Sequence, residues 1–242
     1  MRSKNLLYLV GLILYISGLY SVIFFFEDQK IIFLTREDGF FETLTAIFFL
    51  ITSIFFFIKF HKEKTGNDFL FLKTKKNYFF LILGIVFFLG FGEEISWGQR
   101  IVNIETPETL KKINTQNEIN IHNLIIFDKT DAEGQSKSFL AKFWNIERLF
   151  SLFWFFYCVL IPVFEKYSLA ISRWLKKIHL PVIPIWLGIF FMANHLISKI
   201  IELMVAANLD QPIVEIKECN YAFLFLLAGF SFLSLSQSDG KS

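Results

Sequence analysis

Glu42, Glu93, Glu94, His195 and Glu202 stand inside or at the edge of long apolar runs, where each ionisable group has to be compensated. A charged side chain at membrane depth costs on the order of 3 kcal/mol on insertion scales, so such groups face partners, wet cavities or bound ions. The densest arrangement is GFGEEISWGQR at 90–100, where Glu93 and Glu94 are adjacent. Two carboxylates in a low dielectric do not both stay ionised cheaply; one is protonated, paired with Arg100 or Arg148, or bound to a cation. If the helix continues through this run, Glu93, Ser96, Trp97 and Arg100 share one face, and Glu94 and Gly98 another.

Helical spacing adds two polar stripes. Asn194, His195, Ser198, Lys199 and Glu202 recur at three- and four-residue intervals on an otherwise apolar segment, and Asp38, Glu42, Thr45 and Thr52 fall in a narrow arc of another. The two stripes are expected to face each other or a shared pocket. Oxygen-rich sites with one or two imidazoles suit Mn, Fe, Zn or Ca, so a divalent metal is an expected cofactor, with Glu93, Glu94 and His195 as candidate ligands. Such an ion could activate water against a lipid headgroup ester or phosphate, with a spare carboxylate as base. Glu42, Glu93, Glu94, His195 and Glu202 are therefore the candidate catalytic groups, and Trp97, Arg100, Glu118, His122 and Arg148 the candidate substrate contacts.

The segment after the double carboxylate, RIVNIETPETLKKINTQNEINIHNLIIF, holds the remaining candidates. Thr106, Pro107 and Glu108 open a short helix that Lys111 and Lys112 close. Glu118, Asn120 and His122 alternate with Ile119 and Ile121, so an extended strand would turn all three polar groups to one side. Either this segment is a solvated loop or it is a lid that folds Glu118 and His122 over the carboxylates. Residues 128–137, DKTDAEGQSK, read as a turn.

The run GEEISWGQR, followed by ETPE and NTQNEINIHN, resembles a pattern in uncharacterised bacterial multipass membrane proteins. The resemblance covers 90–124 and EDGFFETLTAIFFL at 37–50. It implies a bacterial inner-membrane location and carries no assigned activity. A fainter likeness is to the alkaline ceramidase and adiponectin-receptor hydrolases, which hold zinc with three intramembrane histidines. Here Lys199 stands four residues after His195, and no second histidine pair matches. The sequence contains no HExxH, CxxC, GxSxG, Walker or dinucleotide signature.

The elements that must position these groups are membrane helices. The chain is 242 residues long and 54% hydrophobic, with 33 Phe, which is more apolar surface than a soluble domain of this size hides. A bilayer core needs roughly 20 apolar helical residues, and the spans that meet this are about 5–26, 39–60, 78–98, 143–164, 181–205 and 219–236, in one all-α domain. The first is expected to be a retained anchor, because EDQK follows it in place of a small-residue cleavage site. Arg2, Lys4, Lys59, Lys62, Lys64, Lys73, Lys75, Lys76, Lys166, Arg173, Lys176, Lys177 and Lys241 fall on one side, against Lys30, Arg36 and Lys217 in short segments of the other. Both termini are thus expected in the cytoplasm and residues 99–142 outside. Residues 165–179 read as a basic interfacial helix with Tyr167, Ile171, Trp174, Leu175 and Ile178 on its apolar face. Membrane lipids are the expected partners, and a net charge of +2 gives no reason to expect nucleic acid. Three functions remain open: a membrane-embedded enzyme acting on a lipid or lipid-linked substrate, a structural or assembly protein with buried ion pairs, and a cation- or proton-coupled transporter.

Overall fold

In hydrocarbon every backbone N–H and C=O must be satisfied within the protein, and a helix does this within a single segment. The computed structural model describes residues 2–64, 66–69, 72–114, 118–121, 124–127 and 145–235. Apart from one antiparallel pair of two-residue strands, Asp68–Phe69 with Leu72–Lys73, the regular elements are helical.

The elements run α1 (Arg2–Phe25), α2 (Asp28–Thr35), α3 (Phe40–Lys62), α4 (Tyr78–Glu94), α5 (Gln99–Val102), α6 (Glu108–Lys111), α7 (Ile146–Trp154), a π-helix (Phe155–Leu160), α8 (Ile161–Tyr167), α9 (Leu169–Lys177), α10 (Ile185–Glu202) and α11 (Asp210–Leu235). Among the described residues four stretches are long and apolar enough to cross a membrane: Asp28–Lys62, Arg148–Tyr167, Ile185–Glu202 and Ala207–Ser234. Leu9–Phe25 is a shorter apolar helix. α4 has 17 residues, about 25 Å at 1.5 Å per residue.

Three sequence expectations are corrected by this architecture. Helix α4 stops at Glu94 and does not carry through GFGEEISWGQR, because Ser96, Trp97 and Gly98 have φ of 47°, 53° and 76° and a right-handed helix cannot pass through left-handed residues. The last helix begins at Asp210 and spans 26 residues, so Glu215 and Glu218 lie inside it rather than before it. Asp210 in the first turn and Pro212 just behind it are start signals that the neighbouring charges had masked. Finally, the polar stripes of α3 and α10 do not face each other: α3 packs between α4 and α11, and α10 lies against α11.

The core is aromatic and centred on α11. Phe225 packs on Phe87 (4.8 Å between centroids), Phe191 (4.8 Å) and Phe153 (5.8 Å), so one buried ring ties α4, α7 and α10 to α11. α10 approaches the π-helix so closely that a Cβ at Gly188 would be driven into the Cys158 carbonyl oxygen. One end of the bundle is sealed by amides: Asn67 donates to Asn77 Oδ1 (3.0 Å) and to the Ile178 carbonyl (2.9 Å), and Asn77 donates to the His179 carbonyl (2.7 Å). The connection between α3 and α4 is thereby held to the turn between α9 and α10. Along 165–179, where the chain breaks at Ser168 into the end of α8 and α9, Leu175 and Ile178 are buried as the apolar face requires, whereas Trp174 and Tyr167 remain exposed.

Candidate functional site

The carboxylates gather at the end of the bundle opposite this amide seal. Glu94, the last residue of α4, is half-buried and lies within electrostatic reach of Glu218 and Glu215 of α11, Glu42 of α3 and Glu93 beside it. The three elements that carry these five acids are the three packed most tightly together, α3 against α4 and α11. Glu94 accepts no hydrogen bond from a described residue. Glu215 accepts one from Gln211 Nε2 at 2.7 Å, and Glu42 accepts one from the backbone N–H of Asp38, whose own φ is 57°. Beneath the acids lie the hydroxyl of Thr45, the thiol of Cys219 and the phenol of Tyr15, which meet between α3, α11 and α1.

Glu93 is held differently. The chain reverses after Ile95, and the Trp97 ring folds back over α4, where it lies edge-on to Phe88 at 6.5 Å and its Nε1 donates to Glu93 Oε1 at 2.6 Å. Glycine is required beneath it, since a Cβ at Gly92 would stand 2.8 Å from the indole. Glu93 and Trp97 are thus brought together by a left-handed turn and not by a shared helical face. Arg100 lies in α5, outside α4.

The turn also sets the position of the outer segment. Ser96 Oγ donates to Glu118 Oε2 (3.1 Å), Asn120 Nδ2 donates to the same oxygen (2.8 Å) and to Ser96 Oγ (3.2 Å), and Gln99 Oε1 accepts the Ile119 N–H (2.8 Å). Glu118 and Asn120 do share a side. They do so in bent chain between the bridged residues Asn114 and Leu124, not in a strand. His122 and the 128–137 turn lie outside the described residues.

His195 and Glu202 belong to a second centre. The charges around His195 are Lys217, Lys199 and Glu202, and its ring rests on Trp154 at 5.5 Å. Lys199 Nζ and Glu202 Oε2 form an ion pair at 2.5 Å, with the lysine side chain 54% exposed. Among the described residues no three His, Cys, Asp or Glu side chains converge as a metal set. Of the expected ligand trio, Glu94 lies within electrostatic reach of acids from α3 and α11, Glu93 accepts from Trp97, and the His195 ring rests on Trp154 of α7. Arg148 is exposed at the first turn of α7, where Asn145 caps the helix (3.3 Å to the Arg148 N–H), and makes no ion pair among the described residues.

Sequence reasoning missed the groups that complete the α10 stripe. Asn194 is fully buried; its Oδ1 accepts from Tyr20 of α1 (2.9 Å) and its Nδ2 donates to the Lys217 carbonyl of α11 (3.0 Å). Ser198 and Asn220 lie beside the same Tyr20 hydroxyl. Both amide atoms of Asn220, the Tyr221 hydroxyl and Glu202 Oε1 are buried without a hydrogen-bond partner. A tyrosine in an uncharged first span and an asparagine two residues after Glu218 were the available signals. The two centres are one aromatic layer apart: Trp154 stacks on Tyr221 at 5.1 Å, and Tyr221 lies within electrostatic reach of Glu218.

Comparison with family models gives no match, and neither the curated proteins nor the solved structures provide one.

Proposed function

We propose that this chain is a six-span protein of a bacterial inner membrane, with cytoplasmic termini and the carboxylate end outside, acting as a membrane-embedded enzyme on a lipid or lipid-linked substrate. The observation that carries the reading is the convergence of Glu42, Glu93, Glu94, Glu215 and Glu218 from three helices at one end of the bundle. Carboxylates crowded in a low dielectric hold protons in common, which is the state from which one can donate while another accepts. The acids are assigned to proton handling, with Glu94 as the central general acid or base. Trp97 then acts as a positioning residue through Glu93.

The competing structural role would lock the acids with cations; of the two described candidates, Lys199 pairs with Glu202 at the other centre and Arg148 lines the groove beside His195. Transport through the bundle is disfavoured by the opposite end, which Asn67 and Asn77 close with direct hydrogen bonds.

The test is Glu94→Gln in nanodiscs prepared from total bacterial lipid extract, with lipid composition followed by mass spectrometry. The wild-type protein should convert one lipid class over time and the variant should not, while both melt within about 2 °C of each other. No conversion by the wild-type protein, or a large loss of stability in the variant, would overturn the enzymatic reading in favour of a structural one.

A further inference from the structure

Between α7, the start of the π-helix and α10 runs a groove of about 520 Å³, a size typical of ligand clefts. Its walls are Leu152, Trp154, Phe155 and Met192, and at one end stand Arg148 and His195. Among the described residues no acidic side chain lines it. Around the groove the surface is that of a membrane-facing span, with Phe156, Ile189, Leu196 and Ile200 all more than half exposed. An occupant must therefore be apolar along most of its length and reach it from within the bilayer.

The cationic end specifies the remainder. Arg148 presents a planar, permanently charged fork that makes no ion pair among the described residues, and such forks match phosphate oxygens bidentately. It sits on the first turn of α7, where the helix dipole also favours an anion. His195 lines the same groove, its ring on Trp154, and Lys199 and Lys217 act on it alongside Glu202.

We propose that the groove binds one anionic glycerophospholipid from the surrounding leaflet, its phosphate on Arg148 and His195 and an acyl chain along Leu152, Phe155 and Met192. The assignment rests on the enzymatic reading and deepens it by naming its substrate class, since Trp154, which lines the groove, stacks on Tyr221, and Tyr221 lies within electrostatic reach of Glu218. The binding site itself stands on charge complementarity and groove shape, independently of any turnover.

The experiment is native mass spectrometry of the detergent-purified full chain titrated with phosphatidylglycerol or phosphatidylcholine. Wild type should retain phosphatidylglycerol at least tenfold better. Arg148→Gln should lose most of that preference, and Met192→Trp, which fills the groove, should lower retention of both lipids. Arg173→Gln, an exposed arginine of α9, should behave as wild type; Glu94→Gln should bind normally whether or not it abolishes conversion. Equal retention of the two lipids by wild type, a full preference surviving in Arg148→Gln, or equal losses in Arg148→Gln and Arg173→Gln would overturn the site. If Arg148→Gln does not fold, Met192→Trp and His195→Gln decide alone, and undiminished retention in the first together with normal selectivity in the second has the same force.

Discussion

The closest backbone approach in the bundle can be tested by adding one methyl group. Gly188→Ala places a Cβ against the Cys158 carbonyl oxygen, a backbone atom of the π-helix that cannot rotate away as a side chain would. Overpacking of this kind costs about 1–3 kcal/mol, with the upper part expected where backbone has to move. Alanine recovers about 1 kcal/mol of helix propensity over glycine, so the net loss is about 1–2 kcal/mol. Gly11→Ala is the matched control: nothing lies within 4 Å of its added Cβ, and it should gain about 0.5–1 kcal/mol. The two variants should differ by about 1.5–3 kcal/mol, and at roughly 2–4 °C per kcal/mol for a chain of this size the alanine at 188 should melt about 3–12 °C below the alanine at 11. Thermal unfolding in one detergent, followed by tryptophan fluorescence, measures the difference. Gly188→Ala melting at or above Gly11→Ala would refute the close packing of α10 on the π-helix, and with it the wall that shapes the groove.

The inferred orientation is checked with single cysteines at Glu105 and Lys75. A membrane-impermeant maleimide applied to intact cells should label the first and not the second, and the reverse pattern would invert the topology. Replacing Asn194 by Leu should cost about 2–4 kcal/mol, because it strands the Tyr20 hydroxyl and the Lys217 carbonyl away from water; denaturant midpoints close to wild type would show that these contacts do not hold α1 and α11 to α10.

The helical, membrane-compatible character was legible because four stretches are long apolar runs, and the polar stripe of α10 because Asn194, Ser198 and Glu202 keep a helical period whatever they touch. Contacts between elements were not legible. Whether Glu42 meets His195 depends on which helix lies between them, and no periodicity within α3 or α10 encodes the interposed α11. The start of α11 was hidden for a local reason: Glu215, Lys217 and Glu218 depress hydropathy on one face, while Ile213 and Ile216, both fully buried, keep the other apolar. The end of α4 was hidden because left-handed Ser96 and Trp97 follow from the tertiary closure of Trp97 over Gly92 and Ser96 on Glu118, not from their intrinsic preferences. Gly98 alone hinted at it.

Helix α4 ends after 17 residues with two carboxylates, while the helices it serves are longer: 23 residues in α3 and 26 in α11. A hydrophobic segment about 5 Å shorter than the hydrocarbon layer draws the bilayer inward around itself, at a fraction of a kcal/mol per ångström. On the proposed six-span reading, the membrane on the α4 flank would thin and the headgroup plane would dip toward Glu93 and Glu94. Water and the polar ends of lipids would then meet the acids sideways. Reconstitution into bilayers of graded acyl length turns this into a dial: thicker membranes strain the α4 flank most, and a protein working at that depression should slow as the chains lengthen.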